Sequence, residues 1–374
     1  MGVTKIFEGM EAMTQPSRQE QFSGTKEVTA QHALDVPKLE RYLAEHVAGF
    51  EGPLSIRQFK GGQSNPTYQL ITPKTKYVLR RKPPGKLLPS AHAVDREFRI
   101  ISALYPTGFP VPKPYVLCTD ESIAGTMFYV MECVEGRVLW EPQLPALEPK
   151  QRFAIYDAMN ETLAKLHQTD YLKLGLEDFG KPGSYFARQI SRWGKQYVAS
   201  ETESIPAMNK LMEWLPQHIP PGERNAIVHG DYRLDNMILH PTEPRVLAVL
   251  DWEISTIGDP LADFTYHIMQ WRMPPGGTGG GTGSLSGADL KALGIPTESE
   301  YVAMYCKRTG RPGIENLDFY FAYNFFRIGG ILQGIMGRVR DGTAASAHAT
   351  TMASAVRPLA ELGWEYAKRA GAKD

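Results

Sequence analysis

The sequence has few of the features that mark secreted or membrane-spanning proteins. Its three cysteines, Cys118, Cys133 and Cys306, cannot all pair and show no metal-ligand spacing, so we expect a reducing compartment. It contains no uninterrupted apolar stretch of membrane-spanning length, and its first residues show no basic start followed by an apolar core. These absences predict a cytoplasmic protein that does not enter a membrane.

The sequence also has no excess of positive or negative charge. The 374 residues include 41 Lys or Arg and 41 Asp or Glu, so the formal net charge is zero. A balanced chain of this kind does not predict a nucleic-acid binder or a protein that binds anionic membranes. The length is sufficient for two lobes around a large core.

The hydrophobic periodicity changes along the chain and suggests an order of elements. Residues 1–30 are polar and aperiodic, which predicts a mobile tail. Alternation from Leu54 to Leu79 predicts strands, a helix is expected near Ala91 to Leu104, and Phe128 to Val134 predicts another strand. After Gly136 the pattern is mostly helical. A small β-rich segment is therefore expected before a larger helical one.

One polar loop between short apolar runs carries the residue types needed for phosphoryl transfer. It reads His-Gly-Asp-Tyr-Arg-Leu-Asp-Asn from His229 to Asn236, and a Leu-Asp-Trp segment with Asp251 follows a predicted β-hairpin. Asp231 supplies a proton acceptor, while Asn236 and Asp251 supply oxygen ligands for Mg²⁺. The structural alternative is a polar loop with solvated acids at the ends of two strands.

This loop resembles the H-G-D-x4-N catalytic loop of the aminoglycoside phosphotransferase and choline kinase families, relatives of the protein kinases. The resemblance covers roughly Leu54 to Ala370 and is closest to phosphotransferase-like domains fused in some proteins to acyl-CoA dehydrogenases. It implies an α+β fold with the two lobes of a protein kinase. The small β-rich N-lobe, residues 31–132, would bind the nucleotide. The larger, mainly helical C-lobe, residues 133–374, would carry the catalytic loop and the acceptor site.

The resemblance also implies roles for individual residues. Asp231 would be the catalytic residue that orients the acceptor hydroxyl and takes its proton, and Asn236 and Asp251 would hold the metal. His229 would brace the loop through hydrogen bonds. The implied cofactors are ATP and Mg²⁺, although the sequence does not distinguish ATP from GTP.

A glycine-containing segment between two predicted strands is expected to hold the phosphates. Gly61 and Gly62 allow close approach of the backbone, and Ser64 and Asn65 can donate hydrogen bonds to phosphate oxygens. The segment resembles the G-x-S-N-x-x-Y loop of the family. An ordinary hairpin turn is the alternative.

The next strand has Arg80 where the family usually has a lysine that contacts the phosphates. Alternation puts Val78 beside Arg80 on the nucleotide side and predicts that Arg81 faces solvent. The resemblance implies that Glu97 on the following helix pairs with Arg80, although Asp95 competes for that role.

The predicted strand that joins the lobes resembles a kinase hinge. Met131 would pack behind the adenine, and the backbone groups of Glu132 to Val134 would bond its edge. An ordinary buried strand without ligand would have the same sequence pattern.

Other polar residues of the second half are expected to be structural. Asp259 should cap the helix that follows it and bond the catalytic loop, and Asp263 should also support the structure. His167 and His267 lie in apolar helical patterns and are expected in the core. The glycine-rich segment 274–287 follows a helix and lacks a G-K-[ST] ending, so we expect a flexible insertion or a lid over the substrate.

The acceptor is predicted from charge and from the family resemblance. From Tyr301 onward the chain has ten Lys or Arg and six Asp or Glu. Leu317 to Arg340 predicts an amphipathic helix with aromatic residues, Arg327 and Arg338, which suits an acidic or acyl acceptor better than a polycation. A hydroxyacyl-CoA thioester or a hydroxy acid is therefore expected. The alternative is that the aromatic residues are core and the arginines solvated.

Two other functions remain open at this point. One is a pseudoenzyme that binds a nucleotide or an acyl ligand without turnover, which Arg80 favours and the intact Asp231, Asn236 and Asp251 disfavour. The other is a protein kinase, which is disfavoured by H-G-D in place of H-R-D and by the lack of an A-P-E segment after Asp251.

Overall fold

The computed structural model describes residues 23–60, 65–83, 93–274, 283–340 and 355–373, and it has the expected two-lobed α+β organisation. The N-lobe is built on one antiparallel six-stranded sheet with the order β1-β2-β3-β4-β6-β5. Its strands are β1 (Thr25–Lys26), β2 (Ser55–Phe59), β3 (Thr67–Ile71), β4 (Lys76–Arg81), β5 (Pro114–Cys118) and β6 (Phe128–Glu132).

Regular structure begins earlier than the predicted boundary at residue 31. Thr25 pairs with Phe59 and Lys26 with Gln58, so β1 forms the edge of the sheet. Residues 23–30 are therefore not part of a tail, as the polar composition had suggested. Residues 1–22 lie outside the described residues.

Eleven helices are present in the described parts of the chain. They are α1 (Val36–His46), α2 (Val94–Leu104), α3 (Glu121–Ala124), α4 (Pro149–Gln168), α5 (Tyr185–Ser200), α6 (Pro206–Trp214), α7 (Pro260–Ile268), α8 (Leu290–Leu293), α9 (Glu298–Thr309), α10 (Leu317–Arg340) and α11 (Val356–Arg369). Two short antiparallel pairs interrupt the helices of the C-lobe. They are formed by β7 (Ala226–Val228) with β10 (Thr256–Gly258), and by β8 (Met237–Leu239) with β9 (Val246–Val249).

Local capping signals explain where several helices begin. Asp35 accepts a hydrogen bond from a backbone N–H of the first turn of α1. Glu148 and Gln151 form a reciprocal capping box at the start of α4, and Thr297 and Glu300 do the same for α9. These contacts satisfy backbone donors that no helical carbonyl can reach.

The N-lobe sheet is covered on both faces. Leu79 of β4 packs in a cluster with Leu39 and Leu43 of α1. Val78, which precedes Leu79 and points to the opposite face, belongs to the core that continues into the C-lobe, as does its cross-strand partner Met131. The alternation that predicted this strand therefore separates two apolar layers.

The helix α10 is the centre of the C-lobe and is more buried than predicted. Phe321, Phe325 and Phe326 are fully buried, and the side chains of most other α10 residues are buried as well. The helix is thus not amphipathic, because helices surround it on most sides. Arg338 and Arg340 at its end are exposed, whereas Arg327 near its middle is buried.

Small residues allow α5 to lie close to α10. Gly330, Gly334 and Gly337 of α10 face α5. A Cβ atom at Gly334 would collide with the side chain of Gln196, and one at Gly337 would lie 2.7 Å from Cβ of Ser200. The absence of side chains at Gly330 and Gly337, which face backbone or Cβ atoms of α5, therefore allows this close approach.

Within the described residues, none of the helices combines the length and the hydrophobicity needed to cross a lipid bilayer.

Candidate active site

The candidate catalytic loop starts where a buried strand ends. β7 is fully enclosed by β10 and the surrounding helices, and His229 follows it directly. A short 3-10 turn, Leu234–Asn236, leads from the loop into the β8–β9 hairpin. The backbone N–H of Leu250 then donates to the carbonyl of Asn236 at 2.8 Å. This pairing brings Asp251 beside Asn236, as the spacing of the two motifs predicted.

A set of buried hydrogen bonds holds the backbone of this loop. Asp263 accepts from the N–H groups of His229 at 2.7 Å and Gly230 at 2.9 Å. The Nδ1 atom of His229 accepts from the N–H of Asp231 at 3.1 Å, and its Nε2 lies 2.9 Å from the carbonyl of Leu250. The bracing role that the resemblance implied for His229 is confirmed by these contacts.

Gly230 is required at its position for two reasons. Its φ of 87° lies in the left-handed region that favours glycine. A Cβ atom there would also lie 3.1 Å from the side chain of Ile254. The carbonyl of Gly230 accepts a hydrogen bond from the buried Arg327 at 2.7 Å, so the arginine predicted to meet the acceptor supports the loop instead.

The prediction for Asp259 was only half correct. Its side chain caps α7 by accepting from the N–H of Leu261 at 2.8 Å. Its other oxygen accepts from the N–H of Arg224 at 2.9 Å, so it does not bond the catalytic loop. That role belongs to Asp263, one helical turn farther along α7.

The carboxylate of Asp231 is held by three neighbours. The hydroxyl of Tyr266 donates to Oδ1 at 2.5 Å, and the amide of Asn236 donates to Oδ2 at 3.0 Å. Arg233 Nε lies 3.1 Å from Oδ1. The side chain of Asp231 remains 22% exposed, so it is oriented but still accessible to a ligand.

These neighbours decide the charge of Asp231. Burial alone would raise its pKa, but Arg233 and then Tyr266 outweigh burial, and the pKa lies below its ordinary value. Asp231 is thus ionised at neutral pH. It can accept a hydrogen bond from the hydroxyl group of a bound acceptor.

Asn236 and Asp251 form an oxygen donor set that suits Mg²⁺. Mg²⁺ is usually bound by one or two carboxylates together with phosphate and water oxygens, not by a cage of protein ligands. Among the described residues there is no group of three or more His, Cys, Asp or Glu that could hold a metal without such additional ligands. One carboxylate and one amide oxygen are a donor set that would fit a metal whose other ligands are phosphate and water oxygens. Asp251 has a φ of 67°, and Asp tolerates this left-handed conformation better than most residues.

Arg80 links both lobes through ion pairs. Its Nε lies 3.0 Å from Oε2 of the buried Glu97, and its Nη2 bonds Oδ1 of Asp251. Burial would lower the pKa of Arg80, but Glu97 and Asp251 outweigh burial and keep this pKa above its ordinary value. Glu97 is confirmed as the partner of Arg80 by this geometry, since Asp95 lies near Lys82 instead, at 3.8 Å.

Arg81 is not directed to solvent, contrary to the prediction. It is only 4% exposed and donates to the carbonyl of Ala124 at 2.6 Å and to that of His32 at 3.2 Å. Its guanidinium also lies over the ring of Tyr68. The second face of the sheet is covered, so the alternation placed Arg81 on the correct side but in the wrong environment.

The expected phosphate loop is described only at its end. Gly61, Gly62 and Ser64 lie outside the described residues. Asn65 is buried, and its side-chain amide donates to Oε2 of Glu253 at 3.0 Å. Of the glycine-rich segment 274–287, residues 275–282 also lie outside the described residues.

The expected hinge follows β6. Met131 lies opposite Val78 in the sheet and is 8% exposed. The N–H of Glu132 donates to the carbonyl of Lys113 at 2.8 Å, so it is not free for an adenine. Val134 is half-buried beyond the end of the strand.

Sequence patterns missed three residues of the site. Tyr266 and Arg233 contact Asp231, and Glu253 lies 3.7 Å from Arg80. Burial, followed by the nearby Asp251, raises the pKa of Glu253 to about 7. The sequence could have indicated these residues only through their positions. Each lies two or three residues from an aspartate to which the sequence analysis had already given a role.

Known proteins are similar to this chain over the part that contains the two lobes and the candidate active site. Residues 55–314 match a family described as the phosphotransferase enzyme family. Acyl-CoA dehydrogenase family member 10 of Mus musculus is 47% identical over 351 residues, which are 93% of this chain and 32% of that protein. Acyl-CoA dehydrogenase family member 11 of Gallus gallus is 45% identical over 353 residues, which are 92% of this chain and 45% of that protein. The chain therefore spans less than half the length of these relatives.

Solved structures agree with the two-lobed fold. A protein from Ralstonia eutropha, assigned to the aminoglycoside phosphotransferases, is 55% identical and superposes with a TM-score of 0.82. That match covers 90% of this chain and 99% of the other. Spectinomycin phosphotransferase, solved with ADP and spectinomycin, is 11% identical with a TM-score of 0.59, covering 89% of this chain and 98% of the other. This second likeness concerns the fold alone.

Proposed function

The chain belongs to the phosphotransferase enzyme family, and we propose that it transfers the γ-phosphate of ATP, with Mg²⁺, to a hydroxyl group of a small molecule. One observation carries this proposal. Asp231, Asn236 and Asp251 converge at the end of the catalytic loop, and the Arg80–Glu97 pair of the N-lobe reaches Asp251.

Asp231 is the residue positioned to handle the acceptor. Tyr266 and Asn236 fix both oxygens of its carboxylate, and the side chain remains partly accessible. It can therefore orient a hydroxyl group by accepting its hydrogen bond and take the proton as the new O–P bond forms. The lowered pKa keeps this acceptor in its ionised form at neutral pH.

The side of the candidate active site that the N-lobe forms would hold the nucleotide. Arg80 would contact phosphate oxygens, positioned by Glu97, while Asn236 and Asp251 would hold Mg²⁺. When bound, Mg²⁺ supplies positive charge that stabilises the transferring phosphoryl group. Two further segments would complete this side. They are the phosphate loop with Gly61, Gly62, Ser64 and Asn65, and the hinge with Met131, the carbonyl of Glu132, and Val134.

We propose a hydroxyacyl-CoA thioester or a hydroxy acid as the acceptor. The support is the excess of basic over acidic residues after Tyr301 and the similarity to relatives named after acyl-CoA dehydrogenases. The cell compartment that we propose is the cytoplasm, because the three cysteines are all free.

One observation favours the alternative of binding without turnover. Arg80 stands where the family usually has lysine, and it already bonds Asp251, which is the proposed metal ligand. If the arginine kept this bond in the presence of nucleotide, Asp251 would be less able to bind a metal.

A phosphate-transfer assay separates these functions. Purified protein is incubated with ATP, Mg²⁺ and equal concentrations of hydroxyacyl-CoA thioesters, free hydroxy acids and kanamycin, and products are identified by mass spectrometry. We expect phosphorylated thioester or hydroxy acid with the wild type and roughly 10²–10⁴-fold slower product formation with Asp231→Asn. Phosphorylated kanamycin alone would overturn the proposed acceptor. Nucleotide binding without transfer to any acceptor would support the pseudoenzyme.

A further inference from the structure

A shallow groove, widely open to solvent, lies on the outer face of α5, apart from the candidate active site described above. It has a volume of about 440 Å³ and is lined by Ala187, Arg188, Ser191, Arg192 and Lys195. The three basic residues follow one another at helical spacings of four and three, so they share one face of the helix. Ala187 and Ser191, each one position before an arginine, are small, which leaves the space open. We refer to these five residues as the α5 basic groove.

The charges of the groove are not balanced by the residues that line it. Among the described lining residues, three carry positive charge and none carries negative charge. Arg192 and Lys195 are exposed, whereas Arg188 is half-buried and held by a hydrogen bond to the carbonyl of Lys181. Three like charges on adjacent turns repel one another, and an anion bound among them would remove this cost.

The helix that carries the groove is connected to the catalytic loop through a short series of side-chain contacts. The Arg327 guanidinium is 6.0 Å from the ring centre of Trp193 on α5 and 5.0 Å from that of Tyr266. Tyr266 donates to Asp231, and Arg327 donates to the carbonyl of Gly230. Arg192, the neighbour of Trp193, also lies over its ring at 5.1 Å. The inner face of α5 therefore supports the acceptor side of the site, and its outer face carries the groove.

We propose that the α5 basic groove binds a phosphate or pyrophosphate group that belongs to the acceptor, at the end remote from the reacting hydroxyl. Arginine matches phosphate geometry with two parallel N–H donors, lysine adds a point charge, and the Ser191 hydroxyl adds a further donor. The link to the acceptor rests on the proposed function. The binding of a phosphate-bearing ligand in the groove does not depend on it.

The first measurement tests binding without turnover. Adenosine 3′,5′-bisphosphate serves as the probe, and titration calorimetry is done with the nucleotide site saturated by Mg²⁺ and a non-hydrolysable ATP analogue. The groove variant is Arg192→Gln with Lys195→Gln, since both residues are exposed and their replacement is expected to leave the fold intact, which the melting temperature checks. The matched control is Lys150→Gln with Lys307→Gln, which removes the same charge from exposed positions on α4 and α9.

We expect the groove variant to bind the probe at least about tenfold more weakly than the wild type, because charge-assisted hydrogen bonds are lost. The control should bind like the wild type, and added salt should weaken only the binding that uses the groove. Equal affinity of the wild type and the groove variant would overturn the proposal. An equal loss of affinity in the groove variant and the control would also overturn the proposal, because it would show only an effect of net charge. A wild type that does not bind the probe would overturn it as well.

The second measurement links the groove to the acceptor. The KM of one hydroxyacyl group is compared as its CoA thioester and as its N-acetylcysteamine thioester, which lacks the phosphates. The wild type should prefer the CoA thioester, and the groove variant should lose about tenfold of this preference through KM. An unchanged preference in the variant would overturn the link. If the wild type phosphorylates neither thioester but binds the probe through the groove, the proposed thioester acceptor is wrong, whereas phosphate binding by the α5 basic groove is supported.

Discussion

Arg80 donates a hydrogen bond to Asp251, which joins the residue proposed to hold the phosphates to the residue proposed to hold the metal. The same guanidinium lies 3.0 Å from Glu97. Arg80 therefore pairs with two acids of the proposed nucleotide site, and a third, Glu253, lies 3.7 Å from it. A nucleotide with its metal would bring phosphate oxygens to Arg80 and a cation to Asp251, so both residues would keep a partner of opposite charge.

Replacement of Arg80 should destabilise the fold as well as the site. Glu97 has a side chain only 1% exposed, and Arg80→Ala would leave this carboxylate without its partner. The expected loss is roughly 3–5 kcal/mol in the free energy of unfolding, measured by urea titration. Arg80→Lys should lose less. The control is Arg99→Ala, which breaks an exposed pair with Asp178 and should cost below about 1 kcal/mol. Similar losses for both alanine variants would contradict this prediction.

Asp251→Asn should remove the effect of Mg²⁺ on nucleotide affinity. Asparagine tolerates the left-handed backbone at this position, so the variant tests the charge and not the conformation. ATP affinity is measured by calorimetry with and without Mg²⁺, and Asp95→Asn on α2 is the control. We expect a metal-dependent gain in the wild type and in the control only. The same gain in Asp251→Asn would rule out Asp251 as a ligand.

Asp231→Asn should lower the rate of phosphoryl transfer by roughly 10²–10⁴-fold while ATP binding is retained. The amide keeps the size of the side chain and can still accept from Tyr266, but it cannot take a proton. Single-turnover rates and ATP affinities are compared with those of Glu243→Gln, an exposed acid on the hairpin. A near-normal rate for Asp231→Asn would remove this residue from the chemistry.

Tyr266→Phe should shift the acid limb of the rate profile to higher pH. The hydroxyl of Tyr266 is one of the groups that lower the pKa of Asp231, so its removal raises this pKa. Asp231 then becomes protonated at a higher pH, and activity is lost earlier as the pH falls. The measurement is kcat/KM against pH, with the exposed Tyr105→Phe as the control. A profile with an unchanged acid limb and a lower plateau would indicate a purely structural role.

His267 should make the protein less stable in mild acid. Burial lowers its pKa from 6.5 to about 4, so the unfolded chain binds a proton that the folded chain does not. Its stabilising contribution is complete above pH 6.5 and is lost as the pH falls towards 4. The loss between pH 6.5 and pH 5 is roughly 2 kcal/mol.

Urea unfolding at both pH values tests the role of His267. His267→Gln should show a smaller difference between the two conditions than the wild type, whereas the exposed His46→Gln should keep the wild-type difference. An identical pH dependence in all three proteins would mean that other groups are responsible.

Periodicity was sufficient to predict a small β-rich part before a larger helical part, because each element buries a face with its own repeat, and the family resemblance supplied the two-lobed fold. The alternation of β4 placed Val78 and Arg80 together, and the H-G-D loop with its later aspartate predicted that Asp231, Asn236 and Asp251 would lie together. These relationships are short-range, since a strand places its alternate residues on one face and a hairpin brings the two segments that it joins next to each other.

The failures concern relationships between distant segments. Alternation gives the side of a sheet but not what covers it, so Arg81 was assigned to solvent although His32 and Ala124 lie over it. The burial of Arg327 depends on the helices that pack around α10, and no local pattern reports that packing. Tyr266 reaches Asp231 across 35 positions, and only the packing of α7 against β7 makes this contact.

The three glycines of α10 that face α5 also bear on how acceptor preference can change during evolution. They allow the close approach of a helix that supports the catalytic loop through Arg327 and a helix that carries the α5 basic groove. A methyl group added at Gly334 would meet the side-chain amide of Gln196, which can turn away at the cost of its hydrogen bond to the carbonyl of Gly330. A methyl group added at Gly337 would lie 2.7 Å from Cβ of Ser200, so α5 would have to shift there. Substitution of Gly337 would thus change the spacing of the two helices without removing a charged residue of the candidate site.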